Sequence, residues 1–193
     1  MYPDKRFRLY LLLLLIPLLG GCVAAAITAT GAGAAVAVDP RTTGTMIEDE
    51  SIELKAGHAL SQNKELADKA HINVTSYNNR VLVTGEAPTE QLRRQAIELV
   101  RAVPKVSQVY DEITIAAPTS LMTRSSDTVI TSKVKTRMLA SDKVQGLNVK
   151  VVTENGVVYL MGLVKRKQGD AATEIARTTG GVQKVVKLFQ YTD

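Results

Sequence analysis

The chain has 193 residues, 45% of them hydrophobic, with a formal net charge of +5, one cysteine and two histidines. A lone cysteine excludes an intramolecular disulfide framework, and Cys22 sits among glycine, valine and alanine, with no charged neighbour to stabilise a reactive thiolate. Neither His58 nor His71 has a second ligand at metal-binding spacing, so neither a metal nor any other cofactor is expected.

The N-terminus reads as an export signal. Lys5, Arg6 and Arg8 precede the apolar stretch "LYLLLLLIPLL", and the small residues Gly20 and Gly21 follow it. "LLGGC" resembles the lipobox of bacterial lipoproteins. That resemblance implies a signal peptide over residues 1–21, cleavage before Cys22 and diacylglycerol on the Cys22 thiol. The uncharged run from Leu9 to Val38 is long enough to span a bilayer. Pro17, Gly20 and Gly21 interrupt it, however, and its second half is Ala, Gly and Thr rather than Leu. An anchor at Cys22 is the better reading. Val23, rather than Asp, follows the cysteine; in the enterobacterial sorting pattern this implies an outer-membrane lipoprotein facing the periplasm.

Residues 22–50 read as the acylated cysteine and a flexible tether, without helical or strand period and ending in Glu48, Asp49 and Glu50. Beyond it the sequence repeats. "NVTSYNNRVLVTG" matches "KVVTENGVVYLMG" at a shift of 77, and "AIELVRAVPKVSQVYDEI" matches "ATEIARTTGGVQKVVKLF" at a shift of 76. The chain therefore holds two modules of about 65 residues, each near the lower limit for an independent core. We place them at residues 51–117 and 127–193, joined by a linker over 118–126.

Each module gives the same order of elements. A first helix is apolar at Ile52, Ala56 and Leu60, or at Ile130, Val134 and Met138, with Ser126 or Asp127 as cap of the second. Two strands follow, Ile72/Val74 then Val81/Val83, and Val149/Val151 then Val158/Leu160. Asn78-Asn79 and Asn155-Gly156 between them suit the positive φ of a tight hairpin. Gly85 and Gly162 end the second strand, where a missing Cβ lets the next helix approach the sheet. That helix shows Leu92, Ala96, Leu99 and Val103 at helical spacing. The last strand carries Val109, Ile113 and Ile115, or Val185, Phe189 and Tyr191. A strand–helix–strand crossover predicts parallel pairing of the last two strands. The fold class is α+β: two αββαβ modules, each a three-stranded mixed sheet with two helices on one face.

Two such modules behind a lipobox resemble the BON domain family, in its two-module outer-membrane lipoprotein form. The resemblance covers nearly all of the mature chain, including "CVAAA", "DPR", "INVT" and "TENGVVYLMGLV". It implies phospholipid binding, support of outer-membrane integrity and association with the barrel-assembly machinery.

No enzyme is expected. The serines lack a nucleophile elbow or paired base, and Gly180-Gly181 reads as a helix-ending turn because no Lys-Ser/Thr follows. Asp111-Glu112 reads as a solvated strand edge. No constellation for a small-molecule substrate emerges.

Charge is more informative. Residues 51–115 carry eight basic and eight acidic groups, whereas residues 124–193 carry twelve and six, a net charge of +6. Such asymmetry calls for an anionic partner. Export excludes nucleic acid, leaving anionic membrane phospholipids or an acidic protein face. The first helix of the second module would place Val129, Lys133, Thr136 and Arg137 on one outer face. The family resemblance implies that this helix binds lipid, with tryptophan where this chain has Val129, a weaker interfacial anchor. Lys165, Arg166 and Lys167 add cations just before the second helix, whose N-terminus also favours anions. The runner-up reading is an adaptor or stress factor that docks on the barrel-assembly machinery through this basic face.

Overall fold

A computed structural model describes residues 39–193; the expected signal peptide (1–21) and residues 22–38 of the expected tether, Cys22 among them, lie outside the described residues. The first module comprises α1 (Thr43–Gln62), α2 (Lys64–Lys69), β1 (His71–Tyr77), β2 (Arg80–Ala87), α3 (Glu90–Arg101) and β3 (Gln108–Ile115). The second comprises α4 (Leu121–Leu139), a 3-10 turn (Gly146–Asn148), β4 (Val149–Glu154), β5 (Val157–Val164), α5 (Arg166–Arg177) and β6 (Lys184–Tyr191). Each sheet has its second strand in the middle, antiparallel to the first and parallel to the third. This is the expected mixed sheet.

The helical faces of the sheets bury the predicted stripes. Ile52, Ala56 and Leu60 are at most 8% exposed, and Ile130, Val134 and Met138 at most 6%. Asn78, Asn79, Asn155 and Gly156 all adopt positive φ in their hairpins, as expected. On α3 the buried stripe is Leu92, Ala96, Ile97 and Val100. Leu99 is half-buried beside this core, and Val103 is buried just past the helix.

Both first helices begin earlier than the sequence suggests. The α1 helix starts at Thr43, where the Thr42 side chain accepts from the Thr45 amide at 3.1 Å, so residues 43–50 belong to the first module and not to a tether. Asp49 is 3% exposed and accepts hydrogen bonds from the Ser76 hydroxyl and the Asn78 and Asn79 amides. Ser120, rather than Ser126 or Asp127, caps α4, accepting from the Thr123 amide at 3.2 Å. The linker therefore ends at residue 120. It is held by Glu86, 3% exposed, which accepts from the Thr119 amide and hydroxyl.

The two modules share a second core. Side chains alternate along β2 and β5: Val81, Val83, Val158 and Leu160 face the helices, while Leu82, Tyr159 and Met161 join Tyr77 in a cluster between the sheets. With both faces covered, these middle strands read as continuous apolar runs rather than alternating ones. Polar groups close the seam. Glu154 of β4, 8% exposed, accepts from Asn73 at 2.9 Å and from Thr84 at 3.1 Å. Asn78 donates to Gln190 at 2.7 Å. The Tyr159 hydroxyl faces Glu112, and burial followed by this carboxylate pushes the phenol well above its usual range. Asp111 accepts from Arg93 at 3.1 Å, so Asp111 and Glu112 are tied to α3 and to the second module instead of forming a merely solvated edge.

Arg41 fastens the segment before α1. It pairs with Asp39 at 2.7 Å and Asp49 at 2.9 Å, and its guanidinium lies 4.0 Å from the centroid of the Tyr77 ring. Burial lowers the Arg41 pKa, but hydrogen bonds to the two carboxylates outweigh it and hold the cation firmly charged.

Gly85 and Gly162 are structural, for a reason other than the one expected. Neither ends its strand, since β2 runs on to Ala87 and β5 to Val164. A Cβ on Gly85, at φ +113°, would lie 1.9 Å from the His71 carbonyl oxygen; on Gly162 it would lie 2.6 Å from that of Asn148. The neighbouring backbone demands glycine, that of β1 at Gly85 and that of the 3-10 turn leading into β4 at Gly162, and not the next helix.

Candidate functional site

The candidate face on α4 is built by its cap and its buried stripe. Ser120 starts the helix, and inward packing of Asp127, Ile130, Val134 and Met138 turns Val129, Lys133 and Thr136 outward. Val129 is 51% exposed. Lys133 is exposed and, among the described residues, takes part in no ion pair or hydrogen bond. The Thr136 hydroxyl donates within the helix to the Ser132 carbonyl at 2.9 Å.

Arg137 differs from these three. Its guanidinium donates to the Ile175 carbonyl at 3.0 Å, the Thr179 hydroxyl at 2.7 Å and the Thr178 hydroxyl at 3.1 Å. It thus satisfies the carboxyl-terminal end of α5, where a cation also opposes the helix dipole. Spacing on one helix cannot reveal a partner on another. The carbon skeleton and charge stay exposed, but the donors are committed.

The structure adds Met122, 83% exposed and seven positions before Val129, hence on the same face two turns earlier. It was missed because the helix was expected to begin after it; the signal was Ser120 three residues ahead of Thr123, a cap within reach. Beside the face lies a shallow depression of about 280 Å³, bordered by Val129, Lys133, the Asn155-Gly156 turn and the Gly180-Gly181 turn. Lys133 is its one cation. The arrangement offers two apolar side chains beside an unpaired ammonium, which suits an interface and provides no reacting pair.

Lys165, Arg166 and Lys167 do not join this face. They begin α5, whereas Arg137 meets its end, and twelve residues of helix span about 18 Å. Lys165 occupies the N-cap, and Arg166 lies 4.7 Å from the Tyr191 ring centroid. The expected anion position at this helix start is filled by the chain itself, because the Arg166 amide donates to both carboxylate oxygens of Asp193 at 3.1 Å. His58 is exposed, and His71 contacts Asn73 at 3.2 Å. Among the described residues, no cluster of His, Cys, Asp and Glu could hold a metal ion, and no helix is long and apolar enough to cross a membrane.

The BON domain profile matches residues 48–117 and 126–193, which are the two modules just described. The outer membrane lipoprotein DolP of Haemophilus influenzae is 41% identical over 175 residues, covering 91% of each chain. A 21 kDa hemolysin of Actinobacillus pleuropneumoniae is 40% identical over 80% of this chain and 79% of its own. The osmotically-inducible protein Y of Escherichia coli K12 is 30% identical over 82% of this chain and 80% of its own.

Proposed function

We propose, from the premise that this chain belongs to the BON domain family and is a two-module lipoprotein of the DolP type, that it binds anionic phospholipid through α4 and supports outer-membrane integrity. The observation that carries the reading is Lys133, unpaired among the described residues and flanked by exposed Met122 and Val129 in the module of net charge +6. A cation near an anionic membrane surface contributes about 1 kcal/mol, and partial insertion of two apolar side chains adds to it. Binding here is non-enzymatic: the face attracts and orients, and makes or breaks no bond.

Cys22 completes the reading as the acylated anchor of an outer-membrane, periplasm-facing lipoprotein, a placement supported by the name of the 41% identical relative. A Cys22→Ala chain should accumulate as a larger precursor and lose palmitate-analogue labelling.

The test of the binding face is co-sedimentation of the chain from residue 23 onward, without the signal segment or the acyl group, with phosphatidylglycerol vesicles at low salt. Lys133→Ala should weaken binding about fivefold, and Lys133→Glu more than about tenfold. Near molar salt, where the Debye length is ~3 Å, the attraction should fade. Equal binding to neutral vesicles, or none to anionic ones, would refute the proposal.

A further inference from the structure

The two copies of the fold differ at the outer strand. Ile72 faces Gly85 across the sheet as Val149 faces Gly162, and Val74 faces Val83 as Val151 faces Leu160. Val149 and Val151 are each 4% exposed, whereas Ile72 and Val74 are only half-buried. In the second module Val144 and the 3-10 turn narrow the space beside the outer strand to about 190 Å³, with Gly146 pressed on the backbone of Met138 and Leu139 and with Lys135 and Lys150 on its rim. In the first module the equivalent space is an open groove of about 430 Å³ between α1, α2 and β1, lined by Gly57, Leu60, Leu66, Ala70, Ile72 and Val74.

The backbone of β1 faces this groove with unused groups. The Ser76 amide points away from β2, since it donates to Glu53 of α1 at 2.8 Å. Residues of an antiparallel strand alternate in this respect, so the N–H and C=O groups of Val74 and Ile72 also point to the free edge. The His71 carbonyl, near Gly85 of β2, confirms the opposite direction for the odd residues. Nature covers or disrupts exposed edges because they template pairing with another chain. Here α1 covers Ser76 and leaves Ile72 and Val74 open.

We propose that this groove is a peptide-docking site, in which an extended, basic segment of a partner protein adds as a strand to β1 beside α1. The backbone edge selects an extended polypeptide. The groove floor, floored by Leu60, Leu66 and Ala70, selects aliphatic side chains at alternate positions. Charge selects a basic segment: Glu50 and Glu53 of α1 flank the groove, and no lysine or arginine lines it or its shoulder. Lys150 of the second module reaches Glu53 only at 3.6 Å, and Glu50 has no ion pair among the described residues. Gly57 keeps the helix wall flat, for a Cβ there would meet nothing within 4 Å.

The probe is a synthetic hexapeptide of alternating valine and lysine, titrated into the full chain. The peptide should slow hydrogen exchange at the Ile72 and Val74 amides about tenfold or more, because it supplies acceptors to both. Gly57→Leu should weaken binding by about tenfold or more without loss of thermal stability, since leucine fills open space and favours helix. The same peptide N-methylated at alternate amides should not bind, and Lys133→Glu should leave peptide binding unchanged, separating this site from the lipid face. Unaltered exchange at millimolar peptide, or equal binding to Gly57→Leu, would overturn the proposal. So would protection of the same amides by phosphatidylglycerol vesicles, or a Gly57-dependent dimer of the chain alone, which would give the groove to an acyl chain or to a second copy.

Discussion

Asp49 and Asp127 stand 78 positions apart and do the same work in the two modules: each reaches from the first helix to the hairpin turn between the first two strands. Asp127 accepts from the Asn155 and Gly156 amides at 2.8 Å each, and Asp49 from those of Asn78 and Asn79, also at 2.8 Å. Positive φ at these turn residues aims two successive N–H groups at one point, a concavity that fits a carboxylate. The bond pair fixes the hairpin to the helix and so sets the angle at which α4 presents its outer face.

Removing the carboxylate should therefore cost stability. Asp127→Ala leaves two turn amides without their acceptor, an expected loss of about 2–4 kcal/mol. Asp127→Asn keeps one oxygen and should recover part of that. Urea midpoints at constant slope measure both. A change below about 0.5 kcal/mol for the alanine variant would show that water replaces the aspartate without loss.

Lys133 and Arg137 should separate binding from folding, although they lie one turn apart. Lys133→Glu is expected to leave the thermal midpoint nearly unchanged and to weaken vesicle binding more than about tenfold. Arg137→Ala strips the α5 end of three hydrogen bonds and should lower stability by about 1–2 kcal/mol. Melting curves beside co-sedimentation distinguish the two. If Arg137→Ala melts like the wild type, the bonds to α5 contribute nothing.

The repeat, the strand order and the helix stripes were legible because each rests on local period: Val81 with Val83, Ile130 with Val134 and Met138. Asp49 was misread because an acidic residue beside Glu48 and Glu50 looks solvated. Its burial depends on turn amides about thirty residues on, which no local pattern encodes. Arg137 was assigned to an open face for the same reason, its partners being on α5. The seam between the modules left a trace in the unbroken apolar runs of β2 and β5, but such runs do not say what covers the second face. The open groove beside β1 is a difference between the two modules in three dimensions, and the aligned repeats carry no sign of it.

The paired glycines should differ in cost. Gly85→Ala combines a left-handed backbone with a Cβ 1.9 Å from a carbonyl oxygen, so the edge strand must move; a loss of about 3 kcal/mol or more is expected. Gly162→Ala meets its carbonyl at 2.6 Å without a positive φ, and about 1–2 kcal/mol should suffice. Calorimetry of the two variants gives the order, and a more stable Gly85 variant would contradict it.

The buried phenol of Tyr159 makes the seam sensitive to alkali. Burial, then the charge and hydrogen bond of Glu112, then Glu154, raise its folded pKa above the ordinary value of 10.0. Below pH 10.0 the phenol is protonated in folded and unfolded chains alike, and its contribution is fully present. As pH rises past that value the unfolded chain loses the proton while the folded chain keeps it, so stability falls, by at most about 1.4 kcal/mol per pH unit. Tyr77, also raised by burial, adds a second loss of the same sign. Tyr159→Phe keeps the ring between the sheets and removes the titration. Its stability should thus decline less steeply than the wild type's between about pH 9 and 11, with lysine effects common to both chains. Parallel declines would mean that hydroxide reaches the phenol in the folded state and that the seam between the modules opens.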